Sequence, residues 1–130
     1  MDKKYTVLIV DDDEFLLDMY STKFREAGFN VEVAHKGTIA LEKLRGGFKP
    51  EVMLLDVVMP EMDGFEVLHE IKKEGLCKDV ILVILSNLGQ KEDIERGHNL
   101  GADDYLVKAY LTPKEVVQKI EDIIRSKKSK

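Results

Sequence analysis

The chain has 130 residues, of which 44% are hydrophobic and 35% charged, and its net charge is -5 at neutral pH. This length and composition fit one globular domain and exclude a disordered or collagen-like chain. The acidic balance disfavours a dedicated nucleic-acid binder, no apolar run is long enough to span a membrane, and the single cysteine, Cys77, cannot form an internal disulfide. We therefore expect a cytoplasmic protein.

The first apolar run, residues 5–10, is too short for a helix and predicts a buried strand. The apolar spacing then changes to three and four residues, which predicts a helix over 14–27 that ends at Gly28. A second strand is predicted at 31–34, followed by a second helix that ends at Gly46. The side chains expected on the buried faces of these two helices are Leu16, Tyr20, Phe24, Ala27, Ile39, Ala40 and Leu44.

The middle of the chain repeats this alternation. A third strand is predicted at 52–55 and a third helix at 64–73. The run at 80–85 is the most apolar in the chain, which predicts a central or near-central strand that Ser86 closes. Residues 87–100 are more polar and contain Gly97, so they predict a short, marginal helix. The apolar anchors expected in that segment are Ile94 and Leu100.

The last unit begins with a fifth strand at 105–107. Residues 112–115, Thr-Pro-Lys-Glu, combine an N-cap, a proline at the first helical position and a capping-box glutamate, so they predict the start of the final helix. We predict one domain over 1–124 and a basic, frayed tail at 125–130. Strands and helices in strict alternation predict a parallel sheet with helices on both faces.

Polar residues stand where four of the predicted strands end: Asp11, Asp12, Asp56, Ser86 and Lys108. The carboxyl ends of parallel strands share one edge of the sheet, where ligands bind, so we expect these side chains to converge. Three carboxylates in one cleft repel one another unless a cation neutralises them, and an all-oxygen ligand set suits Mg²⁺. A lysine, a hydroxyl and Mg²⁺ around a carboxylate would hold a phosphoryl group, with the carboxylate as its acceptor.

Four segments together resemble the receiver domain of response regulators, over about residues 5–124. They are the acidic pair after the first strand, the segment Leu55-Asp56-Val57-Val58-Met59-Pro60 with Asp63-Gly64, Ser86 after the fourth strand, and the segment from Gly101 to Lys108. The resemblance implies a flavodoxin-like (βα)5 fold, a doubly wound parallel sheet with strand order 2-1-3-4-5.

The resemblance also implies a role for each matching residue. Asp56 is the expected phosphoacceptor, with Ser86 and Lys108 as the groups that bind its phosphoryl group. Tyr105 is the expected aromatic switch that responds to Ser86. The expected Mg²⁺ ligands are Asp11, Asp12, Asp56 and the backbone carbonyl of Val58.

The chain departs from the family pattern at three places. Ala109 follows Lys108 where the family usually has proline after a cis bond, so the bond here is either trans or a strained cis one. Asn87 stands where a small residue is common. Val58 and Leu88 are apolar at positions that influence hydrolysis of the acyl phosphate in the family, so we expect slow dephosphorylation.

The implied function is a single-domain response regulator of the chemotaxis type that catalyses only its own phosphorylation and dephosphorylation. A histidine kinase or histidine phosphotransfer protein would donate the phosphoryl group. We expect a conformational readout near residues 87–110 by a downstream protein. We expect no nucleic-acid or membrane partner, and a monomer or weak dimer.

Two alternatives stay open. The first is a pseudo-receiver that binds partners without phosphorylation. The second is a haloacid-dehalogenase-like phosphatase, in which Asp11 would be the nucleophile and Asp13 the acid/base; Phe15 replaces the threonine of that motif, and Asp56 would have no role. We otherwise predict Asp13 to be a helix cap.

The remaining motifs have structural explanations. Asp63-Gly64 is expected to form the turn and cap of the third helix, and Cys77 to be inert. The histidines show no metal-ligand spacing and are predicted to lie on the surface; they are His35, His69 and His98.

Overall fold

The structure is a computed structural model that describes residues 4–128. Within this range, strands and helices alternate from one end to the other. The strands are β1 (Thr6–Val10), β2 (Asn30–Ala34), β3 (Val52–Leu55), β4 (Ile81–Ser86) and β5 (Asp104–Val107). The α-helices are α1 (Glu14–Glu26), α2 (Gly37–Arg45), α3 (Gly64–Glu74), α4 (Lys91–Asn99) and α5 (Pro113–Lys128), and a short 3-10 helix covers Lys108–Tyr110.

The five strands form one parallel sheet in the order β2-β1-β3-β4-β5. This arrangement confirms the predicted flavodoxin-like topology, and it places the very apolar β4 beside the central strand. The chain begins in β1, builds outward to β2, and then returns past β1 to β3. The reversal of direction opens a crevice at the carboxyl ends of β1 and β3, which is where α/β proteins bind ligands.

Both faces of the sheet are buried, so alternate residues of one strand belong to two different cores. On β1, Leu8 and Val10 pack into the core beneath α2 and α3, whereas Val7 and Ile9 pack into the core beneath α1 and α5. The same alternation holds on β3 and β4. Burial on both faces explains why these strands are continuous apolar runs instead of alternating patterns.

The helix caps agree with the sequence. Asp13 accepts a hydrogen bond from the Leu16 N–H at 3.2 Å and caps α1. The predicted capping box of α5 is present, because the Thr112 N–H donates to Glu115 Oε1 at 2.8 Å and the Glu115 N–H donates to Thr112 Oγ1 at 3.1 Å. An equivalent box formed by Asp63 and its N3 residue starts α3.

The buried face of α1 differs from the prediction at two positions. Leu17, not Leu16, is buried in α1, and Ala27 lies beyond the helix on the surface. Tyr20 and Phe24 are buried as predicted. Leu16 and Leu17 both fit the apolar spacing, and the choice between them depends on how α1 is rotated against the sheet.

Helix α5 continues through residues 125–128, which the sequence predicts to be a frayed tail. Lys127 Nζ lies 2.9 Å from Asp103 Oδ1, and this ion pair joins the end of α5 to the segment before β5. Residues 129 and 130 lie outside the described range, and the domain boundary at residue 124 stays a prediction. None of the helices between residues 4 and 128 combines the length and apolar character that a membrane span requires.

Candidate functional site

Three aspartates meet at the carboxyl edge of the sheet. Asp11 and Asp12 follow β1, and Asp56 follows β3, the neighbouring strand. One carboxylate oxygen of each lies within 4.8 Å of the others. Asp11 and Asp56 are almost completely buried, at 3% and 6% exposure, and Asp12 is exposed at the mouth of the crevice.

The local backbone holds two of these carboxylates in place. Asp11 Oδ1 accepts the Asp13 N–H at 2.9 Å, so the turn that leads into α1 also orients Asp11. The backbone around Asp56 is held by the start of α3. The first residue of this helix, Gly64, donates its N–H to the carbonyl of Val57, the residue after Asp56, at 2.8 Å. A Cβ on Gly64 would lie 2.2 Å from the Asp56 carbonyl oxygen, so only glycine permits this approach.

Lys108 bridges the two buried carboxylates from the end of β5. Its Nζ is 2.6 Å from Asp11 Oδ2 and 3.4 Å from Asp56 Oδ2. Burial of the Lys108 ammonium opposes its charge, but the hydrogen bond to Asp11 and the nearby charges of Asp56 and Asp11 together raise the pKa of Lys108 above its ordinary value. Lys108 is therefore fully protonated at neutral pH.

The carboxyl of Asp56 has a raised pKa. Burial is the largest cause and raises this pKa; the charge of Lys108 lowers it, the charge of Asp11 raises it, and hydrogen bonds from Ser86 and Lys108 lower it. The balance favours the neutral form of Asp56 more than in water. An additional positive charge at the site would stabilise the ionised, nucleophilic form.

Ser86 and Tyr105 are connected through the loop between β4 and α4. Ser86 is completely buried, and its Oγ accepts the Leu88 N–H at 3.3 Å. The Tyr105 hydroxyl donates to the carbonyl of the same residue, Leu88. Burial raises the pKa of the half-buried Tyr105 phenol to about 12.

The residues present fit a magnesium ion. The oxygen-only donors Asp11, Asp12 and Asp56 are the ligand type that Mg²⁺ prefers, and Asp12 remains open to solvent, as expected for an ion that keeps several waters. When ionised, these carboxylates and the ammonium of Lys108 leave two negative charges, which a divalent cation would neutralise. The Val58 N–H points toward Asp56, 3.4 Å from its Oδ1.

The backbone at Lys108 answers a question that the sequence leaves open. No cis peptide bond occurs among residues 4–128, so the Lys108–Ala109 bond is trans. The 3-10 helix over Lys108–Tyr110 begins at this point. The trans bond does not prevent the lysine from reaching the site, as its short distance to Asp11 demonstrates.

For Tyr20, a residue near the site, the sequence predicts only a position in the core. Tyr20 of α1 is 3% exposed, and burial raises the pKa of its phenol; the charge of Lys108 opposes this rise, and the charges of Asp11 and Asp56 add to it. Its apolar spacing is that of an ordinary core residue, so nothing in the sequence distinguishes it.

The other chemically reactive side chains lie elsewhere. All three histidines are exposed, as predicted. Cys77 is partly buried; its Sγ lies 3.7 Å from the Pro50 carbonyl oxygen, and burial raises the pKa of its thiol, which disfavours the reactive thiolate.

Three large apolar side chains that are close in sequence to site residues are exposed. Phe15, Val58 and Tyr110 are 74%, 58% and 78% exposed, and they belong to the segments that carry Asp12, Asp56 and Lys108. Exposed aromatic residues are common at protein interfaces. The segments that carry the site residues thus also carry exposed apolar side chains.

Comparison with known proteins agrees with this geometry. Residues 7–121 match the family described as the response regulator receiver domain. The chain is 40% identical over 119 residues to a transcriptional regulatory protein CpxR homolog of Haemophilus influenzae, covering 92% of this chain and 50% of that protein. It is 37% identical over 125 residues to the probable transcriptional regulator ycf27 of Guillardia theta, covering 96% and 47%.

A solved structure matches along nearly the whole chain. The CheY-like response regulator receiver domain protein of Methanospirillum hungatei has a TM-score of 0.87 at 26% identity, covering 98% of both chains. The chain spans about half the length of the curated relatives that it matches.

Proposed function

The chain belongs to the response regulator receiver domain family, and from this premise we propose that it is a switch that accepts a phosphoryl group on Asp56. The observation that carries the proposal is the position of Lys108, whose Nζ lies 2.6 Å from Asp11 and 3.4 Å from Asp56. This arrangement places a fixed cation and the carboxylates of Asp11 and Asp12 next to one carboxylate, Asp56.

The proposed reaction is transfer from a phosphohistidine. A carboxylate oxygen of Asp56 attacks phosphorus, the O–P bond forms as the P–N bond breaks, and the imidazole leaves with a proton taken from solvent or its own protein. Lys108 and the Ser86 hydroxyl stabilise charge on the phosphoryl oxygens. The chain catalyses only its own phosphorylation and dephosphorylation.

The proposal includes Mg²⁺ as cofactor. Asp11, Asp12, Asp56 and the Val58 carbonyl would hold the ion, in line with the oxygen cluster at the crevice. When bound, Mg²⁺ supplies positive charge that stabilises the ionised Asp56 and the phosphoryl oxygens. Asp11 would hold the ion while also pairing with Lys108.

The signal would pass through Ser86 and Tyr105. A phosphoryl group on Asp56 gives the Ser86 hydroxyl a new acceptor, which changes its interaction with the Leu88 N–H. The Tyr105 hydroxyl, bound to the Leu88 carbonyl, responds to that change. The readout is then the surface formed by the β4–α4 loop, α4 and β5.

The donor is proposed to be a histidine kinase or a histidine phosphotransfer protein. The exposed apolar side chains in the segments that carry the site residues, Phe15 and Tyr110 among them, favour a protein donor that covers the site. A single-domain organisation and a protein target instead of DNA stay predictions, because the curated relatives are transcriptional regulators of about twice this length. The predicted monomer or weak dimer also stays a prediction.

The test is the intact mass of the protein after incubation with Mg²⁺ and a small-molecule phosphodonor. We expect one added phosphoryl group on the parent chain, no adduct on Asp56→Asn, and a normal adduct on Asp13→Asn, the matched control at a helix cap. Absence of an adduct on all three proteins, the parent included, would favour a phosphorylation-independent binding module. An adduct that persists in Asp56→Asn would point to Asp11 and a phosphatase-like reaction.

A further inference from the structure

Helix α4 buries almost no side-chain surface against the sheet. Among its nine residues, Gly97 is the only buried one, and Ile94, its one large aliphatic side chain, is 38% exposed. Helices this short are marginal in isolation, and most helical stability in proteins comes from packing. The contacts that hold α4 are therefore the one at Gly97, the partly buried Leu100 at its end, and the Arg96 guanidinium over the Phe65 ring of α3; of the residues within α4, Gly97 is the one buried against the sheet.

Gly97 brings the helix backbone directly onto two side chains of the sheet. A Cβ at this position would lie 2.6 Å from Cδ1 of Ile84 and 3.0 Å from Cδ2 of Tyr105. Glycine inside a helix costs about 1 kcal/mol relative to alanine. The close approach gives a physical reason for a residue that otherwise only weakens α4.

The Tyr105 ring connects this contact to the loop that follows Ser86. One edge of the ring lies against Gly97, and the ring's hydroxyl donates to the Leu88 carbonyl. The Leu88 N–H in turn donates to Ser86 Oγ. The ring is thus held by α4 at one place and by the β4–α4 loop at another.

We propose that the backbone at Gly97 forms a packing site for the edge of the Tyr105 ring, which we call the seat. We further propose that the ring packed in this seat, and not a large side chain of α4, determines where the helix lies on the sheet. Rotation of Tyr105 out of the seat removes the contact at Gly97, and α4 loosens. Use of the seat in signalling rests on the proposed function, since Ser86 would be the group that senses the phosphoryl oxygens.

The first experiment measures amide hydrogen exchange of residues 91–99 in the chain without phosphodonor. We expect Gly97→Ala and Tyr105→Leu each to accelerate exchange of α4 by about tenfold or more, although alanine is the better helix former. The matched control is Glu95→Ala, an exposed position on the same helix, where exchange should stay the same or slow down.

A second readout follows the ring itself. If the added Cβ displaces Tyr105, the pKa of its phenol should fall in Gly97→Ala from about 12 toward the ordinary 10.0. In the double variant with Tyr105→Leu, the effects on α4 exchange should be smaller than additive, because the displaced ring is already absent. The proposal would be contradicted if α4 exchanged more slowly in Gly97→Ala than in the parent, or if the effects of the two substitutions on α4 exchange were strictly additive. If Gly97→Ala does not fold, the test is Tyr105→Leu alone, and unchanged α4 exchange in that variant would contradict the proposal.

The signalling part has its own test, with beryllofluoride and Mg²⁺ as the phosphoryl mimic. We expect the mimic to change α4 exchange several-fold in the parent and far less in Gly97→Ala, whose ring has already left the seat. An equal response in both would refute the signalling use of the seat. Failure of the mimic to bind the parent, seen by fluorine NMR, would instead contradict the proposed function and leave the first experiment valid.

Discussion

At the residue scale, the site is an arrangement of buried charges that depends on one lysine. Lys108 is close to both Asp11 and Asp56, and all three side chains are less than a tenth exposed. Removing one partner of a buried ion pair is strongly destabilising, because the remaining charge has no compensation. With two carboxylates and one ammonium, the site still carries an unbalanced negative charge, and Asp56 is the group whose pKa responds.

The first prediction concerns the cost of that charge. The pKa of Asp56 is raised by burial in the folded chain, so the folded state binds the proton more tightly than the unfolded state, and stability falls as the pH rises from the ordinary value of 3.8 through the raised one. Asp56→Asn should therefore raise the free energy of unfolding at pH 7, because the asparagine side chain carries no charge that folding must bury.

Urea denaturation measures the difference in the free energy of unfolding between Asp56→Asn and the parent. It is carried out with a metal chelator present, at pH 7 and again at a pH well below the ordinary Asp pKa. The gain should vanish at the low pH, where the parent Asp56 is also neutral. Asp13→Asn serves as control, because Asp and Asn cap helices about equally well. A loss of stability at pH 7 in Asp56→Asn would show that Lys108 fully compensates the charge.

The second prediction concerns the lifetime of the phosphorylated state. Val58 and Leu88, 58% and 36% exposed, lie two residues beyond Asp56 and Ser86, and their apolar side chains do not orient a water for attack. We expect slow loss of the phosphoryl group, followed as the return to the unmodified mass. Replacing Val58 by Asn and Leu88 by Glu should shorten the lifetime several-fold, whereas Ile94→Ala should not; a lifetime of only seconds in the parent would contradict the argument.

At the scale of elements, the helices matter to the site through what their ends and backbones contact. Helix α3 begins against the backbone of Asp56, α1 begins at the cap beside the acidic pair, and α4 contacts the sheet through a glycine. Two of these three contacts need the absence of a Cβ. The apolar periodicity of a helix reports its large side chains, so it does not reveal contacts made by glycine.

The third prediction tests the start of α3. Because a Cβ on Gly64 would meet the Asp56 carbonyl oxygen at 2.2 Å and the Val57 Cα at 2.8 Å, Gly64→Ala must move α3 or the end of β3. We expect a loss of about 2 kcal/mol or more of folding free energy, in the range of overpacked cores, together with slower phosphorylation of Asp56. Gly46→Ala is the control, since its nearest contact would be 3.3 Å away; comparable losses in both variants would contradict the steric explanation.

At the scale of the whole molecule, the topology brings distant segments together at one crevice. Asp11 and Lys108, 97 positions apart, meet there although β3 and β4 separate β1 from β5, because the carboxyl ends of parallel strands share one edge of the sheet and the long lysine side chain spans the gap. The two cores on opposite faces hold the sheet that positions all four strand ends. A ligand at this crevice therefore stabilises the whole fold.

The fourth prediction follows from this linkage. Mg²⁺ that binds the folded site and not the unfolded chain should raise the free energy of unfolding by about 2.7 kcal/mol at a hundred times its Kd. Asp12→Asn should greatly weaken this effect, because it removes a proposed ligand that is exposed to solvent, and Asp13→Asn should preserve it. Equal stabilisation by Mg²⁺ in the parent and in Asp12→Asn, measured by thermal unfolding, would place the ion elsewhere.

The sequence by itself determined the alternation of strands and helices, the parallel sheet and the residues that meet at its edge. These properties are local: short apolar runs, helix caps and polar residues at strand ends can be identified without knowing what packs against them. The strand order came from resemblance to a family and was confirmed by the topology.

Only the tertiary structure decided how these parts face one another. It selected Leu17 over Leu16, placed Lys108 closer to Asp11 than to Asp56, made the Lys108–Ala109 bond trans, and extended α5 through residues 125–128. Each outcome depends on contacts between segments far apart in the chain, where packing and charge pairing choose among conformations that are equally acceptable locally. The apolar periodicity of the sequence does not report distances between remote segments. Those distances are set when the segments pack together on the sheet.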